Sequence, residues 1–208
     1  MDQEPKKTEF LIVDEMGDDP LVRVVQENDP GGDILSLRFV ESIPEPPDLM
    51  QHQEICLVNV DEELVVRCEP LRQTHTRITV RRSTATVVKF DRDLRAPARF
   101  SSFIYPVSGD WKGRWEVRGI DLSCGGIAFS CGAELCQQEI VELALPIAHQ
   151  PLLVQCRILH SQLLDETHFI YSDKFVALCR EEEAMIRRAV FDLQLQNRRK
   201  KSTKQETR

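Results

Sequence analysis

The chain has 208 residues and a net charge of −7, from 34 acidic and 27 basic side chains. Its 41% hydrophobic and 29% charged content is that of a globular protein of one large domain or two small ones. No apolar run approaches the ~20 residues of a membrane-spanning helix, and the opening MDQEPKKTEF lacks the apolar core of an export signal.

These features predict a cytoplasmic protein. Its seven cysteines, at positions 56, 68, 124, 131, 136, 156 and 179, form no C-x-x-C pair, and seven is an odd number. Reduced thiols serving as small buried hydrophobes are the expectation. The nearest trio, Cys124, Cys131 and Cys136, lacks the short-spaced pair that anchors zinc, so no metal site is expected. Charge is uneven along the chain. Residues 1–90 hold 18 acidic and 10 basic groups, residues 91–197 hold 15 and 11, and residues 198–208 hold one and six. An acidic body argues against general binding of DNA or RNA, so any anion site must be local.

In chain order, residues 1–8 are polar and expected to fray. Between Glu9 and Phe90 every segment is β-like: EFLIV, LVRVVQ, ILSLRFV, EICLVNV, ELVVRCE, THTRITVRR and TATVVKF. NDPGGD and IPEPPD supply Gly/Pro turn chemistry between some of them. Residues 9–90 therefore read as a small β-barrel or sandwich. Next comes DRDLRAPARF, residues 91–100, which places Arg92, Arg95 and Arg99 in a stretch that Pro97 keeps stiff and extended. Residues 91–99 read as an arginine-bearing linker between two domains.

Strand patterns then resume in SFIYPVS, RWEVRGIDL, GGIAFSC, EIVELALPI, LLVQCRILHS and FIYSDKFVAL. In EEEAMIRRAVFDLQLQNRRKK the period changes, with Met185, Ile186, Ala189, Val190 and Leu193 on one helical face. Three glutamates open this helix and basic residues close it, matching the helix dipole. Residues 100–197 thus read as a β-barrel with a C-terminal helix. Residues 198–208 read as a basic disordered tail, ordinarily just solvated, with a role at an acidic partner or membrane surface as the alternative.

The second informative stretch is GIDLSCGGIAFS, residues 119–130. Asp121 accepts hydrogen bonds and Ser123 accepts or donates them. Gly125 and Gly126 permit a tight turn and close backbone approach. An arginine fork fits phosphate oxygens and the O6/N7 edge of guanine. A carboxylate accepts from guanine's N1–H and N2 amino group. Two arginines, an aspartate and a glycine turn together suit a small guanine nucleotide.

RAPAR followed 22 residues later by DLSCGG resembles the RxxxR and [D/N]xSxxG signature of PilZ domains, six-stranded β-barrel receptors for the bacterial second messenger cyclic di-GMP. The resemblance covers roughly residues 92–197. It implies that Arg95 and Arg99 hold phosphate and guanine, while Asp121, Ser123 and Gly126 hold the other guanine face and the turn. Arg92, Leu94 and Gly125 would be secondary contacts, and leucine at position 94 would favour one ligand over a stacked pair. The family has no catalytic activity and needs no cofactor beyond its ligand. The N-terminal β region resembles the accessory domain of flagellar-brake proteins. That likeness implies an interdomain hinge and an output through the flagellar motor or, almost equally, through polysaccharide-synthesis machinery.

Competing readings were weighed. Ser123 or Cys124 beside two glycines could be imagined as a nucleophile. However, none of the five histidines (52, 75, 149, 160 and 168) stands in a nucleophile–base pattern. A pure interaction module would spend its arginines on salt bridges to Asp91, Asp93 or Glu116. Two other RxxxR pairs, Arg77/Arg81 and Arg114/Arg118, read as solvent-facing positions on strands. Trp111 and Trp115 read as core or rim packing, and Phe100 as an anchor that sets the direction of Arg99.

Overall fold

The computed structural model describes residues 8–14, 20–27, 32–40, 46–59, 64–83, 88–89, 95–147 and 151–205. The chain divides into two compact units, Met1–Arg92 and Asp93–Arg208. Arg92, Leu94, Asp91 and Asp93 lie outside the described residues.

The first unit holds β1 (Glu9–Asp14), β2 (Pro20–Gln26), β3 (Ile34–Phe39), β4 (Ile55–Asn59), β5 (Leu64–Gln73), β6 (Arg77–Arg82) and β7 (Val88–Lys89). Antiparallel pairing runs β4-β1-β2-β3-β6-β5 and returns from β5 to β4, closing a six-stranded barrel with β7 appended to β5. Period-two alternation sends Val22, Val24, Leu35, Leu37, Ile78 and Val80 into one core. The sequence shows only β-like segments here, but a 3-10 turn occupies Leu49–Gln51. Gln73 organises it: its Oε1 accepts from the Leu49 N–H at 2.9 Å and its Nε2 donates to the Pro47 carbonyl at 2.8 Å. Leu49 is fully buried in that core. Arg77 and Arg81 face solvent as expected. Each has an acidic partner, Glu27 at 2.9 Å and Glu69 at 3.2 Å.

The second unit holds β8 (Arg95–Pro97), β9 (Ser101–Pro106), β10 (Trp115–Ser123), β11 (Ile127–Cys131), β12 (Ile140–Leu145), β13 (Leu152–Leu163), β14 (Phe169–Val176) and α1 (Arg180–Gln205). Pairing runs β11-β14-β13-β12-β9-β10 and back to β11, a second closed six-stranded barrel. Ile104, Val117, Leu122, Phe129, Val141, Leu143, Cys156 and Tyr171 are fully buried. The Tyr171 hydroxyl donates to the Ala133 carbonyl at 2.8 Å and accepts from the Leu135 N–H at 3.0 Å, so a buried polar tip is satisfied twice.

Three differences from the sequence reading bear on the site. Residues 95–97 are a short seventh strand on the outer edge of β10, where the sequence suggests only a linker. Pro97 fits there because an edge strand tolerates the missing N–H. The helix buries Ile186, Val190, Phe191, Gln194 and Leu195, whereas Met185 is 40% exposed and Leu193 half-buried. Helical backbone continues to Gln205, so residues 198–205 do not trail off as a disordered tail. None of the seven cysteines forms a disulfide; Cys68, Cys131 and Cys156 are buried as expected, but Cys136 and Cys179 are exposed. Among the described residues, no helix is long and apolar enough to cross a membrane.

Candidate functional site: the outer face of strand β10

Strand β8 lies antiparallel to the end of β10, with Arg95 opposite Ser123, Ala96 opposite Leu122 and Pro97 opposite Asp121. Ala96 and Leu122 are fully buried and hold this short strand down. Arg95 stays exposed on the other side. Its Nη1 lies 3.7 Å from Asp121 Oδ1, with the two side chains 59% and 27% exposed. A pair this long and this wet contributes ~0–1 kcal/mol. Its guanidinium and carboxylate therefore remain available to a ligand.

Arg99 follows one turn of chain later and is also exposed. Phe100 anchors this stretch as the sequence suggests, but through glycine. Its carbonyl accepts from the Gly119 N–H at 2.9 Å. A Cβ on Gly119 would lie 2.3 Å from the Phe100 ring. Gly119 thus clears the space in which the aromatic ring sits.

The hairpin joining β10 to β11 is held by one side chain. The Ser123 N–H donates to the Gly126 carbonyl at 2.8 Å. The Ser123 hydroxyl donates to that same carbonyl at 3.0 Å and accepts from the Gly126 N–H at 3.1 Å. Ser123 is only 4% exposed, so its first task is to build the turn. A Cβ on Gly126 would lie 2.0 Å from the Asp173 carbonyl oxygen, whereas one on Gly125 would meet open space. The two glycines therefore differ: the second is imposed by contact with β14, the first is not.

Asp173 is the residue that motif reading misses. It projects inward from β14 and is only 7% exposed. Its Oδ1 accepts from the Ile127 N–H at 3.2 Å, and the Cys156 thiol lies against the same carboxyl. Desolvation holds its carboxyl well above the usual carboxylate range, and the negative charge of Asp121 adds to the effect. The neighbouring Cys156 thiol is raised as well, first by burial and then by the charge of Asp173.

Two adjoining cavities share Arg95 and Asp121. The larger, about 1010 Å³, is lined by Arg95, Pro97, Arg99, Phe100, Ser101, Arg118, Gly119, Ile120 and Asp121. The smaller, about 320 Å³, reaches past Ser123, Gly125 and Gly126 to Asp173 and Lys174. Three arginines against one carboxylate make the larger cavity an anion site, and Phe100, Pro97 and Ile120 give it apolar surface against which a flat ring can lie. Arg118 faces solvent on its strand as the alternation predicts, and the fold adds that this outward face lines the cavity. Neither Trp111 nor Trp115 lines it. Trp111 donates to Glu139, and Trp115 is 44% exposed at the start of β10.

The helix also reaches the site. Gln194 Nε2 donates to the Arg95 carbonyl at 3.2 Å, and Asn197 Nδ2 to the Pro97 carbonyl at 3.5 Å. No local sequence signal pairs residues about a hundred positions apart. Among the described residues, no group of three His, Cys, Asp or Glu side chains could hold a metal ion.

A family model described as PilZ domain matches residues 89–192. No curated protein matches the chain. Among solved structures, the chain is similar to Escherichia coli YcgR in complex with c-di-GMP, at 16% identity and a TM-score of 0.45, covering 95% of this chain and 88% of that one. It is similar to the K. pneumonia MrkH–c-di-GMP complex at 15% identity and a TM-score of 0.44, covering 94% and 90%. It is also similar to the Bacillus subtilis inhibitor of motility, MotI/DgrA, at 13% identity and a TM-score of 0.42, covering 92% and 98%.

Proposed function

The chain belongs to the PilZ domain family, and on that premise we propose that it is a cytoplasmic receptor for cyclic di-GMP and not an enzyme. One observation carries the reading: Arg95, Arg99 and Asp121 line a single cavity on the outer face of β10. The arginines offer forks to phosphate and to guanine O6/N7, and Asp121 offers its carboxylate to guanine N1–H and N2. Ser123 and Gly126 act by fixing the turn that presents Asp121. Gly125, Arg92 and Leu94 are secondary.

Isothermal titration with cyclic di-GMP tests this directly. The parent should bind, and Arg95→Ala and Asp121→Ala should each lose at least tenfold in affinity. Absence of heat from the parent at high protein concentration would overturn the reading.

The output follows from position in the chain. β8 begins three residues after the division between the two units at Arg92 and Asp93. A ligand that orders β8 is placed to change interdomain orientation, a hinge mechanism. The signal would then pass to a protein partner such as the flagellar motor or surface-polymer machinery. Identical small-angle scattering profiles with and without saturating ligand would rule the hinge out. The second reading is an interaction module that binds no nucleotide. It is favoured by the Arg95–Asp121 pair, which already gives each group a partner.

A further inference from the structure

The sequence offers three RxxxR pairs, and the fold gives them different fates. Arg77 and Arg81 are occupied by Glu27 and Glu69. Arg114 lies 4.2 Å above the Phe103 ring, a cation–π contact. Arg118 is exposed, pairs with no acidic side chain among the described residues, and faces the larger cavity with Arg95, Arg99 and Asp121. A guanidinium turned toward a cavity without an acidic partner is a binding group in search of an acceptor.

Its position says which acceptor. Arg118 and Asp121 lie three residues apart on the same strand, and the pairing of β10 with β11 shifts register between Gly119 and Asp121, which lets both side chains line the one cavity. Ile120, 37% exposed, stands between them on the cavity wall. A cyclic dinucleotide carries two bases held apart by its sugar–phosphate ring. The base whose Watson–Crick edge is taken by Asp121 leaves the second base farther along the strand, over the Ile120 side chain and within reach of Arg118. Arginine donates in parallel to guanine O6 and N7. Adenine places an amino donor where guanine has O6, so the same fork repels it.

We propose that Arg118 is a specificity-determining residue that reads the second guanine of the ligand. This deepens the receptor reading and rests on it. Arg118 then makes the site demand guanine at both positions of the cyclic dinucleotide.

The test is titration of the full chain, Arg118→Ala and Arg118→Lys with two probes, cyclic di-GMP and the mixed cyclic guanosine–adenosine dinucleotide. Arg118 is exposed on its strand, so circular dichroism and melting temperature of both variants should match the parent. The parent should prefer cyclic di-GMP by roughly tenfold to a hundredfold, the discrimination of one bidentate arginine–guanine contact. Arg118→Ala should weaken cyclic di-GMP by a similar factor and leave the mixed ligand nearly unchanged. Arg118→Lys keeps the charge but loses the fork, and should also lose the preference. Parent-like affinity and preference in Arg118→Ala would overturn the proposal while the receptor reading stands. Equal weakening of both probes would overturn it too, in favour of a plain charge contact. A parent that binds neither probe would overturn the receptor reading and this inference together.

Discussion

Gln194, on the C-terminal helix, donates from Nε2 to the main-chain carbonyl of Arg95 at 3.2 Å, across 99 residues of sequence. Gln194 is 8% exposed and its Oε1 has no partner, so the amide sits in the helix–strand contact at a cost. Asn197 repeats the contact one turn later, on Pro97. The helix thus fastens the strand that carries Arg95. Gln194→Ala should weaken cyclic di-GMP binding severalfold by loosening β8, while lowering stability by only about 1 kcal/mol, the usual worth of one such bond. Titration and thermal melting on the same samples check both. Unchanged affinity would reduce the contact to packing.

Gly125 and Gly126 give a sharper contrast. A Cβ at 126 would lie 2.0 Å from a backbone oxygen of β14, and at 125 it would meet nothing within 4 Å. Neither glycine has a positive φ, so the difference is one of space. Gly126→Ala should destabilise the barrel by more than about 2 kcal/mol, in the range of steric disruption of a packed backbone. Gly125→Ala should stay within about 0.5 kcal/mol, as surface substitutions do. Denaturant midpoints of the two variants settle the order.

What could be read from the sequence was what is local. The turn at Ser123 and Gly126 is legible because a glycine hairpin needs only neighbours to form, whereas the strand at Arg95–Pro97, read as a linker, depends on pairing with β10 some 26 residues on. Alternation and turn chemistry give the strand segments of both regions, but not the closure of six of them into each barrel, which rests on pairings distant in sequence. Alternation correctly turns Arg118 outward but does not tell what lies outside it. Asp173 was invisible because its burial depends on three other strands closing around it. Ile186, Ala189 and Val190 lie on the buried helix face as the periodicity predicts, but Met185 and Leu193 give way to Phe191, Gln194 and Leu195, and Gln194 escapes an apolar pattern because it is polar yet buried against β8. The helical backbone outlasts the apolar pattern because Arg, Lys and Gln are good helix formers by intrinsic propensity.

Asp173 carries a pH prediction with a definite sign. Its native carboxyl titrates well above the ~3.9 expected for an unfolded aspartate. Between those two values the native state holds a proton that the unfolded state has released. Stability therefore falls as pH rises above about 4, by up to about 1.4 kcal/mol per pH unit, until the native group itself ionises. The groups facing it are Cys156 from β13 and Asp121 from β10. Asp173→Asn keeps an acceptor for the Ile127 N–H and removes the titration. The stability of the parent relative to this variant should decline between pH 5 and pH 8 in denaturant titrations. A pH-independent difference would show that the carboxyl is ionised in the native protein.

Arg95 and Asp121 separate binding from stability. Their 3.7 Å ion pair is exposed enough that breaking it should cost less than about 1 kcal/mol. Arg95→Ala and Asp121→Ala should each melt within a few degrees of the parent. If these residues hold ligand, both variants should lose most of the thermal upshift that saturating cyclic di-GMP gives the parent, an upshift of about 2.7 kcal/mol at a hundredfold excess over Kd. The two losses should also differ in salt dependence. In the proposed receptor reading the arginine would meet a charged phosphate, so the residual binding of Arg95→Ala should respond less to added salt than that of the parent. Asp121 would meet neutral base edges, so Asp121→Ala should keep the parent's salt response at lower affinity. If instead both variants melt well below the parent and the parent shows no upshift, the pair is structural and the interaction-module reading takes over.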